Sequence, residues 1–184
     1  MESFDNLIER EIPRLRRYAR ALTRDVTAAD DLVQDCLVRA LAKKHLWQPD
    51  TDLRAWLFTI LHNQYVNQVR KIVREGIIAE VSEFLQNHDR TDGSLGISEI
   101  EVAMNLLPAD FREAIELVGL EGLPYEYAAI VLGIPVGTVR SRLSRGRELL
   151  KLLLDGTSVG DPEHTGKTLR SVAKERAQRR MRVA

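Results

Sequence analysis

The chain has 184 residues, with 27 basic and 27 acidic side chains, so the whole molecule exerts no net pull on a polyanion and any attraction to nucleic acid must be local. A hydrophobic content of 44% suffices for a core in one or two small domains, while aromatics at 5% and little strand-like alternation argue against a sheet protein. The single cysteine, Cys36, excludes a disulfide framework or a cysteine zinc cluster, and no signal-peptide stretch or membrane span is read, which makes an intracellular protein without membrane insertion the expectation.

Helical periodicity starts early. Leu15, Tyr18, Ala19 and Leu22 share one face, with Pro13 expected near that helix's start. Thr27-Ala28-Ala29-Asp30 reads as a variant capping box with Asp in place of Glu or Gln. The helix it opens should run to about Ala42, with Val33, Cys36, Leu37, Ala40 and Leu41 as its apolar face and Asp31, Gln34, Asp35 and Val38 as a separate stripe. A polar loop, His45-Leu46-Trp47-Gln48-Pro49-Asp50-Thr51-Asp52, follows; Asp52 can cap a third helix from Leu53 to about Arg74, with Trp56, Leu57 and Ile60 inward.

Residues 75–97 lose this pattern, and residues 76–98 carry four acids and one base. An acidic linker is expected there, although residues 77–85 could form a short helix or dock on a partner. Ser98-Glu99-Ile100-Glu101 is a full capping box, with Ile100, Ala103, Met104 and Leu107 on one face. Pro108 should start the next helix, with Phe111, Ala114, Ile115 and Val118 inward.

The most informative stretch follows. Pro124 suits the first position of a helix, Ala128, Val131 and Leu132 can face inward, and Gly133 falls where that helix must stop in a left-handed conformation. Pro135 then opens a second helix, in which Val139, Leu143, Gly146 and Leu150 make one face. Charge is sorted across this turn: residues 99–135 hold seven acids and one base, residues 136–151 five bases and one acid. A helix-turn-helix with its positive charge on the second helix presents that helix to DNA. Ser141, Ser144 and Arg145 lie opposite the apolar face, suited to base edges, and Arg140 and Arg142 flank them, suited to phosphates. The tail from residue 156 has a basic run over 167–182 and a thin apolar face, so disorder is expected.

The fold class expected is all-α: two small helical domains joined by a flexible acidic linker, the second a four-helix domain carrying the helix-turn-helix. The boundaries are 1–75, 76–97 (linker), 98–155 and 156–184 (tail).

Two segments together resemble one family. Asp30-Asp31-Leu32-Val33-Gln34-Asp35, with Leu53-Arg54-Ala55-Trp56-Leu57-Phe58-Thr59-Ile60 and Asn63, is similar to region two of bacterial extracytoplasmic-function sigma factors. Leu107-Pro108, Glu121-Gly122-Leu123 and Gly137-Thr138-Val139-Arg140-Ser141-Arg142-Leu143 are similar to region four. The resemblance covers roughly residues 10–153 and implies a cytoplasmic, non-enzymatic protein without cofactor or metal that binds core RNA polymerase, at its clamp helices and flap, and promoter DNA, with an anti-sigma factor as a further partner. It places Asp31, Gln34 and Asp35 against the clamp helices. Trp47, Asn63, Asn67, Arg70 and Lys71 would serve the minus-ten element, with Trp47 equally able to cover the core. Thr138, Arg140, Ser141, Arg142, Ser144 and Arg145 would serve the minus-thirty-five element.

Departures from the family pattern are Asn67 for a frequent Asp, Pro124 for Ser, Tyr127 for Glu and Gly146 for Ala. A sigma-mimicking protein that sequesters an anti-sigma factor is the alternative, though it should have lost the arginines retained here at 140, 142, 145 and 147. A hydrolase or metal enzyme is disfavoured: His45, His62, His88 and His164 have no ligand spacing, and no phosphate loop or nucleophile motif is present. A one-component regulator would leave the first segment unexplained.

Overall fold

The computed structural model describes residues 3–49, 51–74 and 99–157. Every regular element among them is helical. Helix α1 (Phe4–Thr23), α2 (Val26–Ala42), a 3-10 turn (Lys44–Leu46) and α3 (Leu53–Arg74) form the first domain. Helix α4 (Glu99–Leu106), α5 (Ala109–Ala114) with its π-helical continuation (Ile115–Leu120), α6 (Tyr125–Leu132) and α7 (Val136–Thr157) form the second. The linker, the residue-98 half of the second capping box and the basic tail lie outside the described residues.

Helix α1 begins well before Pro13. Ser3 caps it, its hydroxyl accepting from the Asp5 amide at 3.3 Å, and Pro13 sits in the helix interior. Pro13 has no N–H to bond the preceding turn; both it and Glu9 are exposed, so water can serve the freed carbonyl. The helix ends at Arg24, which adopts φ 57° and whose amide bonds the Arg20 carbonyl.

The start of α2 is also corrected. Asp25, not Thr27, is the N-cap, and its carboxylate accepts from the Ala28 amide at 2.6 Å; Thr27 is already helical. Within α2, Ala29, Leu32, Val33, Cys36 and Ala40 are buried, but Leu41 is exposed. The 3.6-residue repeat carries Leu41 past the edge of the stripe that α1 and α3 cover. Helix α3 matches its expected span, and Asp52 caps it by accepting from the Ala55 amide at 3.1 Å.

In the second domain Ala103, Met104 and Leu107 are buried and Ile100, one turn earlier, is exposed. Phe111, Ala114 and Ile115 point into the core formed with α7 through Leu143, Leu149 and Leu153. Gly133 ends α6 at φ 63°, the left-handed conformation the turn requires. Pro124 and Pro135 each stand one residue ahead of a helix.

The two domains are in contact. Helix α6 packs on both α3 and α7, and the π turn touches α1. One hydrophobic cluster runs from Leu15, Tyr18, Leu57, Phe58 and Leu61 of the first domain into Leu117, Leu123, Ala128, Val131 and Val139 of the second.

Candidate nucleic-acid and polymerase interfaces

Helix α7 owes its position to its inner face. Val139, Leu143, Gly146 and Leu149 are buried, while the expected Leu150 is only half-buried, and at Gly146 the backbone of α7 comes close to Phe111 of α5. A Cβ there would lie 3.1 Å from the Phe111 Cβ and 3.0 Å from the Ile115 Cδ1, which explains a residue that the helix alone would disfavour. With that face fixed, Arg140, Ser141, Ser144 and Arg145 all stand on the solvent side.

These exposed groups are not equivalent. The side chains of Ser144 and Arg145 make no hydrogen bond or ion pair among the described residues, so their bonding capacity faces outward. The Ser141 hydroxyl donates to the Thr138 carbonyl at 3.0 Å, leaving it an acceptor toward a ligand. The Arg140 guanidinium lies over the Tyr125 ring, 5.5 Å from its centroid, which orients it along α6. Arg142 is half-buried and pairs with Asp110 at 3.2 Å; it is held back toward α5 rather than projecting with the others.

In the first domain Asp31, Gln34, Asp35 and Val38 are all exposed on α2, opposite the Leu32–Cys36 core face. This carboxylate stripe is a ready surface for a basic partner helix. Asn63, Asn67, Arg70 and Lys71 are exposed along α3. Trp47 leans on Phe4 with ring centroids 5.2 Å apart, and its indole N–H is buried without a partner. It therefore covers the base of α1, a role sequence reasoning had left open beside base stacking.

The histidines take no part in a metal centre among the described residues. His62 is buried, bonded through Nδ1 to the Tyr18 hydroxyl at 3.0 Å, and burial pushes its pKa down to about 4. Cys36 is also buried, its thiol pushed up to about 12 by desolvation, which leaves it chemically quiet. No helix among the described residues is long and apolar enough to cross a membrane.

Sequence reasoning missed three groups at the meeting of the domains: Arg17, Glu116 and Glu121. Glu121 stands in the Glu121-Gly122-Leu123 segment. It is buried, and Arg17 Nε donates to its Oε1 at 2.6 Å. Glu116, also buried, has its pKa raised to about 7 by desolvation and then by the neighbouring Glu121 charge, against the opposing pull of Arg112 and Arg17. Arginines spaced along one helix face could have signalled a partner, but not where in the chain it would lie.

Taken together, two all-helical domains, one carrying a helix-turn-helix with an exposed basic face and the other an exposed acidic stripe, have the build of a DNA-reading protein. Comparison with known proteins makes the class specific. Residues 8–62 match the sigma2 domain of PhyR, and residues 97–150 match sigma-70 region 4. The chain is 42% identical over 158 residues to the ECF RNA polymerase sigma factor EcfG of Rhodopseudomonas palustris, covering 84% of this chain and 87% of that protein. Among solved structures it resembles the sigma factor RpoE from Bartonella quintana, crystallised with the anti-sigma factor NepR: 38% identity, TM-score 0.68, 83% of this chain and 96% of that one. It also resembles CnrH, solved with the cytosolic domain of CnrY, at 30% identity and TM-score 0.58, over 83% of this chain and 88% of that one. The chain belongs to the ECF RNA polymerase sigma factors, within the sigma-70 family.

Proposed function

We propose that this sigma factor engages core RNA polymerase through the Asp31, Gln34 and Asp35 stripe of α2 and aims the complex at promoters by reading two DNA elements. The first domain, residues 1–75, takes the minus-ten element with Asn63, Asn67, Arg70 and Lys71, and Trp47 shapes the adjoining loop. The second, residues 98–155, takes the minus-thirty-five element with Ser141, Ser144 and Arg145 at base edges. Thr138 and Arg140 serve the same element, Arg140 at a phosphate, and Arg142 joins it there on leaving Asp110. The observation that carries this reading is the helix-turn-helix whose second helix buries its apolar face and leaves Ser144 and Arg145 free and exposed.

The protein performs no catalysis of its own and works in the cytoplasm beside the polymerase. An anti-sigma factor is its natural regulator, a reading supported by a relative solved with such a partner. Run-off transcription on genomic fragments tests the proposal: core polymerase with this protein should initiate at defined start sites, and random initiation would refute it.

The match of residues 8–62 to a PhyR domain favours one second reading, a sigma mimic that binds an anti-sigma factor without touching promoters. The two readings part on α7: a mimic should give no promoter-specific initiation and be indifferent to loss of Arg145.

A further inference from the structure

The arginines of α7, at positions 140, 142, 145 and 147, are held in different ways. Arg145 and Arg147 are exposed, and Arg140 lies over the Tyr125 ring. Arg142 alone of these is held in an ion pair among the described residues, its Nη2 lying 3.2 Å from Asp110 Oδ2. The packing of α5 on α7 sets this pair. Phe111, next to Asp110, faces the backbone at Gly146, where a Cβ would lie 3.1 Å from the Phe111 Cβ. Arg142 stands one helical turn before Gly146. With that contact fixed, the Asp110 carboxylate is delivered to the flank of the reading helix. Arg142 keeps 24% of its side chain exposed against 50% for Asp110, so the guanidinium is drawn in while the carboxylate faces water.

Asp110 stands in the first turn of α5, where the helix dipole favours a negative charge, so the carboxylate has a reason to be there besides Arg142. The second acid near this pair is Glu113, whose charge senses both Asp110 and Arg142. Burial, and then the Asp110 charge, pushes the Glu113 carboxyl up to about 7, so near neutral pH it is ionised only in part and is a weak partner for Arg142. A DNA phosphate makes the same demand on Arg142 as Asp110 does, an oxyanion for a guanidinium. If Arg142 swings out to the DNA backbone, the ion pair with Asp110 is lost. If it stays and bridges both, a carboxylate is left facing a phosphate of like sign. Either way Asp110 opposes binding, and to the same extent on every sequence, because a phosphate carries no base identity.

We propose that Asp110 is an internal competitor of the DNA backbone for Arg142, lowering the affinity of the recognition helix for every duplex while leaving its base preferences unchanged. This rests on the promoter-reading function above and adds to it a residue outside the reading face. Solvent-exposed ion pairs are weak, so the restraint is about two- to five-fold and not a block. Such a restraint suits a factor that must find few promoters among a large excess of other duplex. A helix bearing this many arginines is drawn to any phosphate, and partial neutralisation by Asp110 shortens its stay at sites where nothing else holds it.

Fluorescence anisotropy of the full chain on a labelled duplex of mixed sequence, from about 50 to 200 mM salt, tests this. Asp110→Asn should tighten binding about two- to five-fold at the low end and steepen the dependence of log Kd on log salt by up to about 0.9, with helical circular dichroism unchanged. In an Arg142→Ala background the same substitution should do nothing. A gain of equal size without Arg142 overturns the competitor, since the carboxylate would then act only as a charge near DNA. Weaker binding by Asp110→Asn refutes it in the opposite sense, showing that Asp110 positions Arg142 for DNA. Unchanged affinity and salt slope refute it as well. Run-off transcription with core polymerase should start at the same sites for wild type and Asp110→Asn, and a change of sites would contradict the unchanged base preference. If neither protein gives promoter-specific initiation, the sigma reading fails, while a gain on mixed duplex that requires Arg142 still supports the competitor.

Discussion

The carboxyl of Glu116 should make this protein's stability fall as the solution turns from mildly acidic to mildly basic. Its side chain is buried, Oε2 has no hydrogen-bond partner, and Glu121, Arg112 and Arg17 are the charges around it. Burial holds its pKa at about 7 against an ordinary value of 4.5. The folded form thus keeps a proton that the unfolded form has released. The stabilisation is complete below the unfolded value and is lost as pH rises through the folded one. A displacement of that size corresponds to about 3 kcal/mol at 1.36 kcal/mol per unit.

Glu116→Gln removes the titration and introduces a pH-independent cost of about 1 kcal/mol for a buried amide. The difference between variant and wild type should therefore shift in the variant's favour by about 3 kcal/mol between pH 4.5 and pH 8. Glu113, also raised to about 7 by burial and Asp110, contributes the same sign to both proteins. His62, lowered to about 4, opposes it as pH falls from 6.5. Both cancel in the comparison. Urea unfolding followed by circular dichroism at several pH values measures it; parallel stability profiles for the two proteins would refute the reasoning.

Other substitutions separate the proposed surfaces. Asp31→Lys with Asp35→Lys should weaken core polymerase pull-down while keeping unfolding free energy within roughly 0.5 kcal/mol per site, as exposed positions allow; undiminished capture would mean the stripe is only solvated. Arg145→Ala and Ser144→Ala should alter preference at individual minus-thirty-five bases by about 1–3 kcal/mol, whereas Arg140→Ala should weaken binding across sequences and flatten its salt dependence; a randomised promoter selection distinguishes the two. Gly146→Ala should lower the urea midpoint despite a helix-propensity gain of about 1 kcal/mol, because the new methyl presses on Phe111; a rise in midpoint would show that α5 can yield.

Much of the fold was legible because local rules sufficed. Asp52 as cap, the span of α3, Gly133 at a left-handed stop and the inward face of α7 each depend on neighbours a few residues away. The errors came from the same short range. Pro13 was read as a start signal, but a proline can sit inside a helix when the carbonyl it orphans faces water. Thr27 competed with Asp25 for one cap, and the carboxylate two residues earlier won. Leu41 and Ile100 lie on the apolar repeat but beyond the reach of a covering helix. The exposed residues of the candidate interfaces could be placed from helical phase alone. The apposition of the domains could not: the Arg17–Glu121 pair joins residues 104 positions apart, and nothing in the local pattern of either segment names the other. Arg142 is a smaller case, since its phase says solvent while Asp110 draws it aside.

The π turn over Ile115–Leu120 sets the phase of everything after it. Such a turn accommodates one residue more than an α-helical path would, and each residue advances a helix by about 100°. Removing a single residue there, Gly119 for instance, would let the turn relax to ordinary α geometry and leave Glu121 near its present phase, because one residue fewer at about 100° each covers nearly the same arc. The same deletion in a regular stretch of α7 has no such slack and would rotate everything beyond it by about 100°. The π turn is thus a spare residue held in the chain, a place where length can change without disturbing what is packed on either side.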